Sequence, residues 1–598
     1  MTQPIDVLVV GSGPSGASAA VLLARHGLSV TLVTRAAWAA DSPRAHITNQ
    51  RTMEVLRAIG LEDGAQAVAE PRAAMANQVL CTSIAGEEFG RLWSWGNAPE
   101  RQGEYLASSP SQGCDLPQDR LEPLLLGEAG RLGVTLRFGT KLLEFAQDAD
   151  GVSAVVEDQS TGQRQSLRAA YLLGADGGQS KIAAALNLPF EGTAGMADAM
   201  NVRFTADLSR HVAHRPGSLF EVIQPQREEF LGHGMLRMVR PWNDWVASFV
   251  YLGDRQSKLT EQEAKAEIEA LIGDPTIEVT VTGLFPWRVN HVVATRYHEG
   301  RVICLGDAVH RHPPMHGLGA NTCVQDAFNL AWKLALVIRG QADASLLETY
   351  TAERAPVGRQ IVDRAIASWH SGRGLLPALG LRHDAPVAER VATFETLAED
   401  SEAGALRRAE FERMLRVREV TFGSHGVETN QRYASAAILE DGLPPEEFER
   451  DPGVFIQPSP RPGAHLPHAW LGLPGSTVSS LDLAKPERFT LFTRERGSAW
   501  EEAASGLAAE SGLPLTVVRV ARRGDALDLY GDFASRTGLP EDGALLVRPD
   551  QFVAWRSDGA AGPHGEPAAV LREVFARLLG RESVQPAAPV GEAALPRA

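Results

Sequence analysis

A glycine-rich turn between an apolar strand and a helical segment is the feature that most constrains the fold. Residues 5–10, IDVLVV, form a near-continuous apolar run with the length of a buried parallel strand. The run leads into GSGPSGASAAVLLARHG, where alanines and leucines keep helical spacing, and a second strand begins at Ser29. Chain geometry nearly fixes the handedness and the parallel pairing of such a βαβ unit. The sequence therefore predicts a Rossmann-like domain.

The glycine spacing in this turn predicts that the phosphates of a dinucleotide lie beside it. Gly11 permits the tight turn, Gly13 lets the backbone approach a pyrophosphate, and Gly16 lets helix and strand pack closely. The helix that opens at Pro14 and Ser15 offers free N–H groups and partial positive charge to the phosphates. The alternative is a turn whose glycines occur by chance.

The second strand, within VTLVTR, lacks the terminal acid that usually binds a ribose. Thr34 or Arg35 occupies that place. A threonine hydroxyl can still hydrogen-bond a ribose, although less strongly than a carboxylate would. Arg35 could instead accept a 2′-phosphate, so this site alone leaves NADP open as the nucleotide.

Size, charge and cysteine usage narrow the possible partners and surroundings. A chain of 598 residues with 44% hydrophobic and 22% charged residues is an ordinary multidomain globular protein. The net charge is −16 and no long Lys/Arg run occurs, which argues against nucleic acid and anionic membrane as partners. The four cysteines lack paired spacing, and the N-terminus lacks the basic region of a signal peptide. We expect a cytoplasmic protein with reduced thiols.

Composition shifts and periodicity predict an α/β multidomain chain. We expect a discontinuous nucleotide-binding domain over 1–70, 111–185 and 290–360, a β-sheet substrate-binding domain over 71–110 and 186–289, and a helical segment with a linker over 361–450. The element order over 451–582 is typical of a thioredoxin-like domain. Because that region has no cysteine, we expect it to serve structure or assembly. The tail 583–598 is predicted to be disordered.

Two further apolar strands end in aspartate. GADGGQS places Asp176 after the first, and GDAVHRHPPMHGLGANTCVQDAFNLAWKLAL places Asp307 after the second. The second stretch allows three interpretations: a metal site on its histidines, a buried turn, or a cradle for a large anionic cofactor. Metal is disfavoured because His310 and His312 alternate sides, the prolines limit His316, and no cysteine or carboxylate pair completes a ligand set. We predict no metal.

Together with the glycine turn, these two motifs resemble the three-motif signature of the flavin-dependent aromatic hydroxylases, the single-component flavoprotein monooxygenases. PRAHITNQRTMEVLR at 43–57 is similar to their phenol-hydroxylase branch. The resemblance implies that FAD is bound, with Asp307 and Gln118 on its ribityl chain and Arg44 on the pyrophosphate or ribityl side. Asp176 would lie near the pyrophosphate, where the family also meets NADPH or NADH transiently. Gln179 and Ala183 replace two arginines of the family pattern.

On this resemblance, the stretch after Asp307 becomes a flavin cradle. Pro313 and Pro314 stiffen the turn, while Gly317 and Gly319 let backbone amides approach the flat ring. The helix that begins at about Ala320 and Asn321 points its positive end at the ring. Reduced flavin is negative near N1, and a helix N-terminus stabilises such charge by roughly 0.3–1 kcal/mol, or about 2 when partly buried. Stabilising the anion favours hydride uptake. Turn packing and backbone hydrogen bonds are expected for His310 and His312.

The resemblance also implies a reaction. NAD(P)H would reduce FAD, O₂ would add to give a C4a-hydroperoxide, and an ionised phenol, expected to be a chlorophenol, would become a catechol by ortho-hydroxylation. Two alternatives stay open: a hydroxylase of a polycyclic polyketide or antibiotic, and a flavin-binding protein without catalysis. A homo-oligomer, a dimer or tetramer, is expected.

The candidate catalytic residues are positions at which this sequence differs from the family motifs. A phenol ionises near pH 10, as tyrosine does, so a base with a pKa near neutrality is an efficient way to form the phenolate. In the phenol-hydroxylase relatives a carboxylate follows the RA dipeptide, and here that position is His46. Trp287 stands where the family has a substrate-contacting tyrosine, and His291 follows on the same segment. The alternative is that His46 only hydrogen-bonds the backbone beside the flavin.

Overall fold

The computed structural model describes residues 5–251, 259–372, 374–559 and 566–581. The tail predicted to be disordered, 583–598, lies outside these residues. Contacts divide the chain into two units. The first comprises Met1–Phe328, Arg354–Asn430 and Phe448–Gln457, and the second comprises Asn329–Glu353, Gln431–Glu447 and Pro458–Ala598.

The predicted βαβ unit lies at the centre of an eight-stranded sheet in the first unit. Ile5–Val10 pairs in parallel with Val30–Val33 on one side and with Arg164–Gly174 on the other. Both neighbours are apolar and buried near the turn, as expected for strands that are covered on both faces. The remaining strands of this sheet are Thr135–Arg137, Thr140–Gln147, Val152–Asp158, His298–Glu299 and Val302–Cys304.

A second eight-stranded sheet is built around two long strands, Phe190–Thr205 and Thr280–Ala294, which pair antiparallel. Trp245, Phe204 and Phe220 of this sheet are fully buried, and they pack in one core with Ile268 of the helix Glu261–Ile272. The other strands are Asn77–Cys81, Glu88–Trp93, Leu219–Ile223, His233–Arg240, Asp244–Val250 and His310–Arg311.

A two-stranded pairing links segments that are far apart in sequence. Ile47–Thr48 pairs antiparallel with Cys114–Asp115, and Ile47 is the register partner of Asp115. The Leu116 N–H donates to the His46 carbonyl oxygen at 2.6 Å, which extends the pairing by one residue. This ladder fixes the segment that carries His46.

The first unit also contains helices. Those that lie wholly within it are Pro14–Arg25, Gln50–Ala58, Glu62–Val68, Arg72–Met75, Pro99–Ser108, Gln118–Arg131, Lys181–Ala185, Ser209–Val212, Glu261–Ile272, Leu375–Ala378, Val387–Glu395, Glu402–Phe422 and His425–Thr429. The helices Gly319–Ile338 and Glu348–Gly372 contain residues of both units. No helix among the described residues is both long enough and apolar enough to cross a membrane.

The second unit contains the predicted thioredoxin-like elements. Its four-stranded sheet has the order Leu515–Arg519, Phe489–Thr493, Ala544–Val547 and Val553–Ser557. A three-stranded sheet of Trp470–Leu473, Ser476–Ser479 and Leu527–Asp528 was not expected from the sequence. The helices are Ser480–Leu483, Ser498–Ser511, Asp532–Thr537 and Pro567–Leu578. The α/β multidomain fold class is confirmed.

Candidate active site

Two of the three glycines in the turn have no room for a side chain, and the third borders open space. Gly11 has a φ of +110°, and a Cβ on it would lie 2.1 Å from the Ala175 carbonyl oxygen. A Cβ on Gly16 would lie 2.0 Å from the Gly11 carbonyl oxygen. The nearest atom to a Cβ on Gly13 is Oε1 of Glu122, at 4.0 Å. The backbone at Gly13 is therefore open to a ligand.

The helix Pro14–Arg25 presents its N-terminus at this opening. Its N-cap residue is Gly13, which supplies no side-chain hydrogen bond, and its first turn has no acidic residue. The N–H groups at the helix start and the positive end of the helix dipole suit a phosphate.

The strand ends bring the three motifs together. Arg164–Gly174 pairs in parallel with both Ile5–Val10 and Val302–Cys304, so the carboxyl ends of all three share one edge of the sheet. Gly306, with a φ of +65°, approaches the glycine turn so closely that a Cβ on it would lie 2.6 Å from Ser15 Oγ. The next residue, Asp307, is exposed at this edge. A carboxylate in that position can accept two hydroxyl donors.

Asp176 has a local role that its sequence motif did not reveal. Its carboxylate accepts hydrogen bonds from the Ser180 hydroxyl and from the Lys181 N–H, the latter at 2.8 Å. It thus caps the helix Lys181–Ala185, while the preceding Ala175 closes the glycine turn. Asp176 therefore lies beside the glycine turn, and its carboxylate orders the loop that follows it.

Gln118 lies in a polar cluster that includes one residue missed from the sequence. Its Nε2 donates to Glu122 Oε1 at 2.6 Å, and the Ala40 N–H donates to Oε2 of the same carboxylate at 2.6 Å. Burial raises the pKa of Glu122, while Gln118, Ala40 and the Arg44 charge oppose the shift. Glu122 also carries the atom nearest to a Cβ on Gly13, so it lies beside the glycine turn. Its spacing of four residues from Gln118 on one helix was the available signal.

The two candidate residues at the end of the second strand differ: Thr34 is hydrogen-bonded within the protein, and Arg35 is exposed. The Thr34 hydroxyl is buried, and its oxygen accepts from Ser12 Oγ at 3.1 Å and from the Ala36 N–H at 3.3 Å. The Arg35 and Arg44 side chains are exposed. Of the two candidates at this strand end, Arg35 is the one open to a nucleotide.

The start of the helix Gly319–Ile338 is tied to the His46 segment. Asn321 Nδ2 donates to the Ile47 and Gly317 carbonyl oxygens, at 2.8 and 2.6 Å, and Asn321 Oδ1 accepts from the Asn49 N–H at 3.0 Å. Gly317 has a φ of +65° and approaches the Ile47 side chain. The buried Asn321 amide is committed to backbone, so we assign it to positioning rather than to direct cofactor contact. Gly319 and Ala320 stay at the helix start, which has no acidic residue in its first turn.

These features together fit an FAD. The open glycine turn and the uncapped helix suit its pyrophosphate, and the exposed carboxylate of Asp307 suits its ribityl hydroxyls. The N-terminus of a 20-residue helix suits the negative charge of the reduced ring.

His46 forms a pair with a buried aspartate. Its Nδ1 lies 3.0 Å from Oδ2 of Asp115, which is fully buried. A carboxylate only accepts, so Nδ1 carries the hydrogen and Nε2 of the neutral ring is left as an acceptor. The Trp95 ring packs edge-on against the imidazole, with centroids 5.7 Å apart. The alternative, in which the His46 side chain only bonds backbone, is not what the structure shows.

Arg237, which sequence reasoning missed, completes this cluster. It is 7% exposed, and its Nε and Nη2 find no hydrogen-bond partner among the described residues. Asp115 Oδ1 is likewise without one. Burial lowers the pKa of His46, the Arg237 charge lowers it further, and Asp115 opposes without reversing the shift. Burial lowers the pKa of Arg237 to about 10. Unpaired buried donors next to a neutral imidazole suit a ligand with an anionic oxygen.

Trp287 and His291 have partners outside this cluster. Trp287 is half-buried, and its Nε1 donates to Asn201 Oδ1 at 3.0 Å. His291 Nε2 lies 2.8 Å from Asp363 Oδ1, and the Asp363 side chain is 53% exposed. Among the described residues, no hydrogen bond, ion pair or ring contact joins either side chain to His46. The structure therefore does not bring the three predicted catalytic residues together.

Three histidines lie in the turn after Asp307. His310 binds the carboxylate of Asp326 at 2.8 Å, which is a correction to the expected backbone bond, whereas His312 Nδ1 bonds the Pro313 carbonyl oxygen as predicted. His316 bonds Ser368, and burial lowers its pKa to about 3. No group of three or more metal-ligating side chains occurs among the described residues.

Comparisons with known proteins agree with this geometry. Residues 4–365 match the FAD binding domain family, and residues 459–581 match the aromatic-ring hydroxylase C-terminal family. The chain is 44% identical to 2,4-dichlorophenol 6-monooxygenase of Cupriavidus pinatubonensis, covering 98% of each protein. It is 42% identical to phenol 2-monooxygenase of Pseudomonas sp., covering 92% of this chain and 90% of the relative.

One solved structure extends the likeness to three dimensions. The flavin-dependent monooxygenase PieE, in complex with FAD and substrate, is 41% identical with a TM-score of 0.92. The match covers 97% of this chain and 100% of that one. With three strand-end motifs that fit FAD and similarity along nearly its whole length, the chain belongs to the FAD-dependent aromatic-ring hydroxylases.

Proposed function

We propose that this monooxygenase uses FAD, NAD(P)H and O₂ to hydroxylate a phenol, most simply a chlorophenol, at the ortho position and to release a catechol. The observation that carries the proposal is the buried His46–Asp115 pair beside the unpaired donors of Arg237. A phenol offers both groups what they lack, a proton for His46 Nε2 and, once ionised, an anionic oxygen for Arg237. The names of the phenol-hydroxylating relatives support the same substrate class.

Each member of the cluster has a distinct role. His46 Nε2 accepts the phenol proton, and Arg237 binds the phenolate oxygen through its free N–H groups. Asp115 holds the His46 tautomer and stabilises the imidazolium after proton transfer. Trp287, held by Asn201, would shape the pocket. His291 is paired with Asp363, so it would influence the substrate pocket only indirectly.

The cofactor residues follow from the strand-end geometry. We propose that Gly13, Pro14, Ser15 and Arg44 hold the pyrophosphate side of FAD, and that Gln118 and Asp307 hold its ribityl chain. The ring would lie at the helix start formed by Gly317, Gly319 and Ala320. Bound flavin supplies the transfer of electrons from NAD(P)H and the activation of O₂. NADPH or NADH would dock transiently near Asp176, with Arg35 as a further phosphate contact.

We also propose a cytoplasmic homo-oligomer, a dimer or tetramer, in which the cysteine-free thioredoxin-like domain serves assembly. All four cysteines are buried, and burial raises the pKa of Cys81 and Cys114 to about 12. Such thiols are poor nucleophiles.

A panel of phenols tests the substrate class. The FAD-loaded enzyme should show NAD(P)H oxidation stimulated by chlorophenols, with catechol formed in proportion. Stimulation confined to polycyclic phenols would favour the polyketide alternative. A protein that binds FAD yet oxidises no nicotinamide cofactor faster with any phenol would overturn the proposal.

A further inference from the structure

A pocket of about 420 Å³ opens on the first unit, and its lining includes none of the residues assigned to FAD or to the phenol. The helix Arg72–Met75, the end of strand Glu88–Trp93 and the helix Pro99–Ser108 form its walls. Its volume lies within the range of small-ligand sites. The lining residues are Arg72, Ala73, Ala76, Trp93, Asn97, Gln102, Leu106 and Gln112.

Arg72 supplies the pocket with a cation that is not neutralised. Its Nε donates to Asn97 Oδ1 at 2.8 Å, and its Nη1 donates to Gln112 Oε1 at 2.9 Å. Both partners are neutral amides, and no carboxylate among the described residues lies within ion-pair distance. The guanidinium is about half buried, and burial lowers its pKa. A desolvated charge without a counter-ion attracts an anion more strongly than a surface arginine does.

The rest of the lining is apolar and unusually exposed. The Trp93 residue is 44% exposed and Leu106 is 60% exposed, although most large apolar side chains of the chain are buried. Ala73 and Ala76 add small apolar surface. A pocket lined by both an indole and a leucine side chain suits a flat apolar ring, since aromatic rings pack favourably against tryptophan.

We propose that this pocket is a peripheral binding site for a small aromatic anion, an arenecarboxylate or a phenolate. The ring lies between Trp93 and Leu106, and the anionic oxygens accept from the guanidinium N–H groups of Arg72 that its two amide partners leave free. Carboxylate and guanidinium match as planar forks, and a phenolate oxygen accepts from the same donors.

Two segments join the pocket to the candidate catalytic cluster. Trp95 lies between Trp93 and Asn97 in the chain, and its ring contacts that of His46. Gln112 lies three residues before Asp115, the partner of His46. A ligand in the pocket therefore contacts the two segments that hold His46 in place. This site goes beyond the proposed hydroxylation, because it is separate from the phenol that reacts.

The test is a ¹⁹F NMR titration of the FAD-loaded enzyme with 4-fluorobenzoate and, separately, with pentafluorophenol, which is ionised at neutral pH. The probe that binds more tightly shows whether the site recognises a carboxylate or a phenolate. Leu106→Glu, at an exposed position, places a negative charge at the entrance of the pocket and should weaken binding of either anion about tenfold or more. Leu406→Glu is the matched control, because Leu406 is 67% exposed on another helix.

Variants of Arg72 separate recognition from support of the loop. Arg72→Gln should weaken binding about tenfold, whereas Arg72→Lys, which keeps the charge, should recover part of it. Arg237→Leu, which removes the group proposed to bind the reacting phenolate, should leave the affinity for the tighter probe unchanged. Absence of binding by both probes, binding indifferent to Leu106→Glu, or binding lost in Arg237→Leu would each overturn the proposal, the last because it assigns the probe to the phenol site.

Discussion

His46 owes its proposed role to its neighbours. A lone buried histidine is most often a hydrogen-bonded packing residue, but here Asp115 fixes the tautomer and Arg237 adds a positive charge without a counter-ion among its hydrogen bonds. The sequence pointed to His46 because it follows the RA dipeptide. It could not reveal Asp115, which lies 69 residues away in a short ladder, or Arg237, which lies on a strand of the second sheet.

Removal of the base should uncouple the enzyme. His46→Ala should retain FAD and still consume NAD(P)H, but it should release hydrogen peroxide in place of catechol, because a neutral phenol is a poor nucleophile. General-base catalysis contributes roughly 10²–10⁴-fold, and catechol formation should fall within that range. The measurement is the ratio of catechol to NAD(P)H consumed.

His291→Ala is the matched control, since that imidazole is paired with Asp363 instead. It should change coupling far less than His46→Ala does. Unchanged coupling and an unchanged pH profile in His46→Ala would show that His46 is not the base.

The pH profile should report the environment of His46. Its pKa is lowered from the ordinary 6.5, first by burial and then by Arg237, so the ring is neutral and able to accept a proton at pH 7. Protonation at lower pH removes the base, so kcat/KM should fall as the pH drops below 6.5. Arg237→Leu removes a charge that lowers this pKa, and the acidic limb should move to higher pH. A limb that stays in place or moves to lower pH would contradict the assignment.

At the scale of elements, local patterns predicted most of what lies near the turn. The strand at 5–10 was expected within these bounds, because a near-continuous apolar run is a local signal. The long strands Phe190–Thr205 and Thr280–Ala294 pair across about a hundred residues, with two register shifts. Such pairing depends on side-chain contacts across strands, which no single segment encodes.

The strand-end architecture makes a prediction about flavin. Asp307→Ala removes the exposed carboxylate at the end of Val302–Cys304, so the purified variant should contain less FAD or bind it more weakly. Loss of charge-assisted hydrogen bonds of about 1.5–3 kcal/mol corresponds to roughly 10–100-fold in affinity. The measurement is flavin absorbance per chain and its recovery on titration with FAD.

The control for this variant is Asp384→Ala, which removes an exposed aspartate paired with Arg382. It should be as yellow as the wild type. If Asp307→Ala binds FAD as tightly as Asp384→Ala, the assignment of the ribityl chain to this strand end is wrong.

At the scale of the whole molecule, the second unit has a buried ionic network that sequence reasoning did not predict. Lys333 donates to Glu353 at 2.7 Å, and Arg548 binds Glu353 at 2.6 Å and also binds Asp550. All four residues are essentially inaccessible to solvent. Burial alone would raise the pKa of Glu353, but Arg548 and Lys333 outweigh burial and hold it below its usual range. Sequence patterns assign charged residues to the surface, so a buried ionic network becomes visible only in the folded structure.

Breaking this network should destabilise the protein. Arg548→Ala leaves Asp550 buried without its cation and leaves Glu353 with Lys333 alone. Breaking a buried ion pair typically costs about 3–5 kcal/mol in the free energy of unfolding. Arg556→Ala is the matched control, because Arg556 pairs with Asp558, whose side chain is 80% exposed. That pair should contribute about 1 kcal/mol or less. Urea unfolding followed by fluorescence measures both, and equal effects of the two variants would contradict the network's importance.

The most direct test of the account is oxygen incorporation from ¹⁸O₂ into the product of a chlorophenol. The FAD-loaded enzyme with NAD(P)H should form a catechol that carries one ¹⁸O atom, next to the original hydroxyl, with about one NAD(P)H consumed per catechol. A chlorophenol that stimulates NAD(P)H oxidation yet yields only hydrogen peroxide, or a product whose new oxygen comes from water, would contradict ortho-hydroxylation by this chain.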